Sequence, residues 1–190
     1  SVGFHPPLPT ACRSSGKEGS PASAAVQLKG GTSDVIVEKC HFTNAGERPI
    51  NAGGFTGLPY FRPQGARYEA ARLIVRDNVI DGSLCAAAFV GVDGVEFSGN
   101  AINFPTRWIF RILQETHEPG FVPCRNVLIR DNRIVFRRAQ VQIDINIGDG
   151  TAPGTFRFEN NRWFAEDRPR ASKPKLPVEE KGGIYGVDPR

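Results

Sequence analysis

The side chains best equipped to act on another molecule fall in two alternating apolar–polar segments. In QVQIDINI (Gln140 to Ile147), a strand that turns Val141, Ile143, Ile145 and Ile147 inward leaves Gln140, Gln142, Asp144 and Asn146 in an exposed row. In RWIFRIL (Arg107 to Leu113), Trp108, Phe110 and Ile112 take the inward face, and Arg107, Ile109, Arg111 and Leu113 the outward one. Asp144 is then a surface carboxylate able to move a proton, and Arg111 a permanent cation whose planar fork holds an oxyanion. A guanidinium beside a carboxylate keeps it ionised, which suits Asp144 to act as a base. Glu115 and His117, just past the second segment, supply further titratable groups, and Tyr60 an aromatic face. The competing reading of the pair is a surface salt bridge that fixes strand register, contributing about 0–1 kcal/mol. A lone loop histidine such as His117 is more often simply solvated. Metal and cofactor chemistry is not expected. His5, His41 and His117 lie far apart, and Cys12, Cys40, Cys85 and Cys124 show no CxxC spacing. Two disulfides are arithmetically open to a secreted chain, with the pairing undetermined.

These segments are positioned by a repeat. Five stretches share the template apolar, any, apolar, two of any type, Asn, any, apolar: VIVEKCHF (Val35–Phe42, with Cys40 in place of Asn), LIVRDNVI (Leu73–Ile80), VEFSGNAI (Val95–Ile102), VLIRDNRI (Val127–Ile134) and FRFENNRW (Phe156–Trp163). Successive starts differ by 38, 22, 32 and 29 residues, so a constant strand–turn–strand unit is joined by loops of varying length. Residues two apart on a strand face the same way, so the first two apolar positions enter a core together. The asparagine falls at the bend, where its amide can bond to backbone and tolerate unusual dihedrals. Stacked at the strand spacing of about 4.8 Å, Asn78, Asn100, Asn132 and Asn161 would form one hydrogen-bonded column. Counting from each asparagine, Arg111 and Asp144 land on neighbouring rungs. Further strands are expected at AAVQL (Ala24–Leu28), AAFVGV (Ala87–Val92) and GGIYGVD (Gly182–Asp188). The alternative, a β-sandwich, would need antiparallel hairpins and would have no use for a shared asparagine.

The template pieces VIVEKCHF, LIVRDNVI, VLIRDNRI and FRFENNRW resemble the internal coil repeats of the right-handed parallel β-helix, the pectate-lyase-like superfold, over roughly Ala24 to Trp163. The resemblance implies an all-β solenoid of about five coils with an Asn ladder and irregular loops. It also implies a groove along one sheet that takes an extended polysaccharide or oligosaccharide. On that plan Asp144 and Arg111 are the catalytic candidates, with Arg111 holding a uronate carboxylate. Gln142, Asn146, Glu115, His117 and Tyr60 would bind substrate. The superfold hosts lyases, hydrolases and epimerases as well as phage tail proteins and adhesins. The Asn-Thr-Asp, Asp-Asp, Gly-His-Gly and Arg-Ile-Lys strings of polygalacturonases are absent. Arg62, Pro63 and Arg67 match the Arg-x-Pro-x-x-Arg string of pectate lyases only with the wrong spacing. The reaction type therefore stays open, and so does a non-catalytic structural or assembly module of a surface or fibre protein.

Composition agrees with many short elements. The chain has 190 residues, of which 39% are hydrophobic and 23% charged, which excludes a disordered tail or a membrane span. Glycine (21) and proline (15) are in excess, and methionine is absent, as in a chain trimmed or cut from a longer one. The net charge is +4, but the 18 arginines alternate with acids rather than gathering with aromatics, so no nucleic-acid partner is expected. No apolar run reaches membrane-spanning length, so no membrane insertion is expected. The organisation expected is an extended lead-in or partial cap over 1–23, a solenoid over 24–167, and a Pro-rich strap with a last strand over 168–190. Solenoid ends expose strand edges, so the tails or a second copy in a homo-oligomer are expected to cover them. Gly46–Ala66 is read as one long insertion and Thr116–Pro123 as a second loop. An extracellular or periplasmic location is expected.

Overall fold

The computed structural model describes residues 13–16 and 24–190; apart from 13–16, the expected lead-in with Cys12 lies outside the described residues. After β1 (Arg13–Ser15), the chain passes through three sheets in a fixed order. The first passage is β2 (Val26–Leu28), the split pair β3 (Thr32–Ser33) and β4 (Ile36–Glu38), and β5 (His41–Thr43). The second is β6 (Ile50–Gly53), β7 (Ala70–Arg76) and β8 (Val79–Asp81), and the third β9 (Ala87–Val90), β10 (Val92–Ser98) and β11 (Ala101–Asn103). The fourth is β12 (Phe110–Leu113), β13 (Arg125–Arg130) and β14 (Arg133–Phe136). The fifth is β15 (Ile145–Ile147), β16 (Arg157–Glu159) and β17 (Arg162–Ala165), after which β18 (Ile184–Tyr185) adds to β17. Sheet 1 runs β15-β12-β9-β6-β2, and sheet 2 runs β16-β13-β10-β7 with β3 and β4 both on β7. Sheet 3 runs β1-β5-β8-β11-β14-β17-β18, and its strands, like those of the other two sheets, pair in parallel. The protein is an all-β parallel solenoid, and among the described residues no helix is long and apolar enough to cross a membrane.

The template explains the core. Leu73 with Val75, Val95 with Phe97, Val127 with Ile129 and Phe156 with Phe158 are buried, as are Ile80, Ile102, Ile134 and Trp163 from the following strand. Phe89, Phe97 and Phe110 interlock at its centre, with centroids 5.1–6.3 Å apart. The bend itself differs from expectation. The left-handed backbone falls on the residue before each asparagine, Asp77 (φ 56), Gly99 (65), Asp131 (56) and Asn160 (55), and on Lys39 (54) before Cys40. That frees the asparagine side chain to point inward and bond along the solenoid axis. Asn100 Oδ1 accepts from the backbone N–H (3.0 Å) and amide (2.9 Å) of Asn78, and Asn132 Oδ1 accepts the same pair from Asn100 at 2.9 and 3.0 Å. Asn161 Oδ1 repeats this for Asn132 at 3.0 and 2.8 Å. At one end Asn78 Oδ1 accepts the Cys40 N–H (2.9 Å); at the other the amide of Asn161 donates to Glu180 Oε1 (2.7 Å). Glu180 Oε2 also accepts from Trp163 Nε1 and the Tyr185 hydroxyl, both at 2.9 Å. A carboxylate accepts without needing to donate, so it ends a column of donors pointing its way.

The outer face of sheet 2 is closed by ion pairs. Arg72 meets Asp34, Arg76 meets Glu38, Arg130 meets Glu96 (each 2.7 Å) and Arg125 meets Asp93 (2.8 Å). The Arg72 hydrogen bond holds the Asp34 carboxyl down at about 2. Two segments depart from expectation. Gly46–Ala66 is not one insertion: Ile50 and Ala52 reach the core as part of β6, and only 54–68 leaves the solenoid. In the strap, Leu176 and Val178 pack against the core together with Tyr185, closing that end of the solenoid.

Candidate functional site

The outward positions of sheet 1 make one row across the strands. Gln27 lies beside Asn51, Asn51 beside Ala88, Ala88 beside Arg111, and Arg111 beside Asn146. Their neighbours along each strand are held in the core, among them Ile50, Ala52, Phe110 and Ile112, so the row cannot turn inward. Asn51 Nδ2 donates to Gln27 Oε1 (3.1 Å), and Gln27 Nε2 to the Gly53 carbonyl (3.2 Å).

Two guanidiniums, that of Arg111 in this row and that of Arg48 just ahead of β6, differ from those of sheet 2. Arg111 and Arg48, two residues ahead of β6, have side chains about four-fifths buried (21% and 23% exposed). Their nearest carboxylates, Glu115 at 3.7 Å and Glu47 at 3.4 Å, are not hydrogen-bonded to them. The Nε of each is buried with no partner, and so is Oδ1 of Asn51, a residue only 8% exposed. A buried Nε–H without an acceptor is unfavourable, and an oxyanion meeting the fork of the guanidinium is a group that satisfies it. Cys85 lies within reach of both positive charges, yet burial dominates and pushes its thiol up to about 12. Burial does the same to Cys124, so neither is a nucleophile at neutral pH.

Two loops leave sheet 1 at the same edge, 54–68 after β6 and 114–123 after β12. Buried Glu69 joins them. Its Oε1 accepts the Thr56 N–H (2.7 Å) and the Thr116 hydroxyl (3.3 Å), and its Oε2 accepts the Gly30 N–H (3.0 Å). Phe61 packs edge-on against Phe121 at 5.9 Å, and Gln114 bridges the base of its loop to the Cys124 N–H (2.6 Å). Tyr60, 77% exposed, stands on the first loop, and His117 leans on Gly150 from the second. Glu69→Gln keeps one acceptor but sets an amide donor against a backbone N–H. The expected loss is about 1–2 kcal/mol by urea denaturation; an unshifted midpoint would mean the loops are joined without it.

The structure brings together Arg111, Asn146 and Glu115. It corrects the environment expected for Asp144. QVQIDINI is not one strand: Arg137–Gln140 forms a turn in which the Gln140 and Val141 N–H groups both donate to the Arg137 carbonyl (3.0 and 2.9 Å), and the strand starts only at Ile145. The turn resets the alternation, so Ile143 and Gln142 are exposed while Asp144 is 3% exposed. Its carboxylate accepts from Arg138 Nη1 (2.7 Å) and from the Lys175 N–H of the strap (2.9 Å), and the residue opposite Arg111 is Asn146. Ile109 is likewise buried rather than outward. Asp144→Asn is therefore expected to loosen the strap by about 1–3 kcal/mol and to leave binding on sheet 1 intact. Calorimetric titration of the variant checks this; lost binding at an unchanged melting temperature would restore a direct role.

Arg48, Asn51 and Gln27 were not among the residues expected from sequence. Arg-Pro-Ile-Asn-Ala does alternate, but the glycines and prolines around it hide the strand. Among the described residues no group of three His, Cys, Asp or Glu side chains could hold a metal ion. Comparison with protein-family models, curated proteins and solved structures returned no match.

Proposed function

We propose that the chain is a right-handed, pectate-lyase-like β-helix of about five coils, bonded along an Asn ladder, that binds an extended acidic polysaccharide across sheet 1. Parallel crossover connections are right-handed in nearly all known cases, which supports the hand. The observation that carries the ligand is the pair Arg48 and Arg111, each with a buried Nε that has no acceptor, together with the unpaired Asn51 Oδ1. A polymer carrying carboxylates satisfies both guanidiniums, while Gln27 and Asn146 extend the polar row along its path. Strands about 4.8 Å apart repeat these contacts at regular intervals, as a repeating chain requires. The 54–68 and 114–123 loops flank the path, Tyr60 offering a face for a sugar ring and His117 and Gln142 edge contacts. Glu115, beside Arg111, takes the acid–base place that Asp144 cannot fill from under the strap. Such polymers lie outside the cytoplasm, so the reading carries an extracellular or periplasmic location. The buried tie of Asp144 favours the second reading, a module that binds without turning its ligand over.

Affinity electrophoresis tests the reading, with oligogalacturonate against cello-oligosaccharide at rising salt. Retardation by the acidic polymer that fades with salt is expected; equal retardation by both, or by neither, would overturn it. Release of reducing ends or unsaturated products then separates enzyme from binding module.

A further inference from the structure

Sheet 3 carries a second concavity on its outer face, lined by neither Arg48 nor Arg111. A cavity of about 560 Å³ has a floor of small apolar side chains, Val79, Ala101 and Val135, edged by Asp81, Asn103 and Phe104. A smaller hollow of about 230 Å³ adjoins it around the corner, sharing Asp81 and Phe104 and reaching Arg137. Volumes of this order hold small molecules. Pro189 and Arg190 wall the larger cavity, so it is a short seat rather than a path for a long chain.

The polar edge is built. Asp81 Oδ1 accepts from Asn103 Nδ2 (2.7 Å), and Asp81 Oδ2 lies 2.6 Å from His41 Nε2. Three polar side chains are thereby joined through Asp81 beside an apolar floor. The turns that follow β5, β8 and β11 all use left-handed backbone, at Asn44 (φ 46), Gly82 (φ 74) and Phe104 (φ 55). Asparagine and glycine accept that conformation; a phenylalanine there is strained, and such residues gather at ligand sites. The strain sets the Phe104 ring against both cavities, with the Arg137 guanidinium 4.9 Å from its centroid.

We infer that this cleft is a separate binding site for a single sugar ring. A pyranose has an apolar C–H face and a rim of hydroxyls. The floor with Phe104 matches the face, and Asp81, braced by His41, and Asn103 match adjacent hydroxyls. The site stands independently of the sheet 1 reading, because the two share no residue.

Two-dimensional ¹⁵N–¹H NMR with millimolar methyl β-glucopyranoside or methyl α-galactopyranoside tests it. Saturable shifts are expected at the Asn103 side-chain amide and the Phe104 N–H, with none at the Asn51 amide. Phe104→Gly should fold, since Gly82 takes the same turn one coil earlier, and should bind about tenfold more weakly. Asn103→Ala should weaken binding similarly, and Arg111→Ala should not affect it. No shift at Asn103 and Phe104 with either sugar, or affinity unchanged in Phe104→Gly, would overturn the inference. A response confined to Asn51 would assign sugar binding to sheet 1 alone.

Discussion

Asn132→Ala is expected to lower the stability of the fold by about 3–4 kcal/mol, at the upper end for a single substitution. Asn132 is fully buried, and its amide makes four hydrogen bonds. Oδ1 accepts the N–H and the amide of Asn100; Nδ2 donates to the Phe97 carbonyl (3.0 Å) and to Asn161 Oδ1 (2.8 Å). Alanine removes the acceptor of the Asn100 N–H and takes one bond each from the Asn100 amide, the Phe97 carbonyl and Asn161 Oδ1, where water does not reach. Arg157→Ala, on the exposed face of sheet 2, should change stability by no more than about 0.5 kcal/mol. Urea midpoints of the two variants decide the matter. Equal midpoints would mean that the column of amides is solvated.

Arg111→Ala is expected to weaken binding of oligogalacturonate by about 10- to 100-fold, the range of one charge-assisted hydrogen-bonded contact. Stability should move the other way or not at all, since the change removes a largely buried cation whose Nε has no acceptor in the free protein. Arg111→Lys should recover only part of the affinity, because an ammonium keeps the charge and loses the fork. Arg48→Ala should behave alike, and the double variant should lose the salt dependence of binding. Titration calorimetry with parallel melting curves checks all four. A melting temperature that falls with affinity would make the arginines structural.

The template was enough to locate the core, because burial on a strand has period two and five copies agree on phase. Outside the template copies, the alternation of RWIFRIL and QVQIDINI names outward positions, which is how Arg111 and Asn146 could be found. Phase is kept only within one strand, however. The turn at Arg137–Gln140 shifted it for Asp144, and a sequence does not display a tight turn made of Arg, Ala and Gln. β6 was missed because Pro49 and Gly53–Gly54 look like loop although Ile50 and Ala52 alternate. Glu180 could not be read as the end of the asparagine column, since it shares no template with Asn161 and reaches it from the strap. The left-handed residue was expected at the asparagine and falls one position earlier: Asp77, Gly99, Asp131 and Asn160 are also types that accept that backbone, so residue type alone did not separate the two positions. Arg48 was not legible, because what singles it out is a missing partner, which only the folded chain reveals.

The most direct test of the account is a crystal of the protein soaked with oligogalacturonate. Density is predicted along the outer face of sheet 1, with carboxylates on the guanidiniums of Arg48 and Arg111 and the chain passing Asn51 toward Asn146. A well-diffracting soak that leaves both arginines unoccupied, or that shows the oligomer on another sheet, would contradict it.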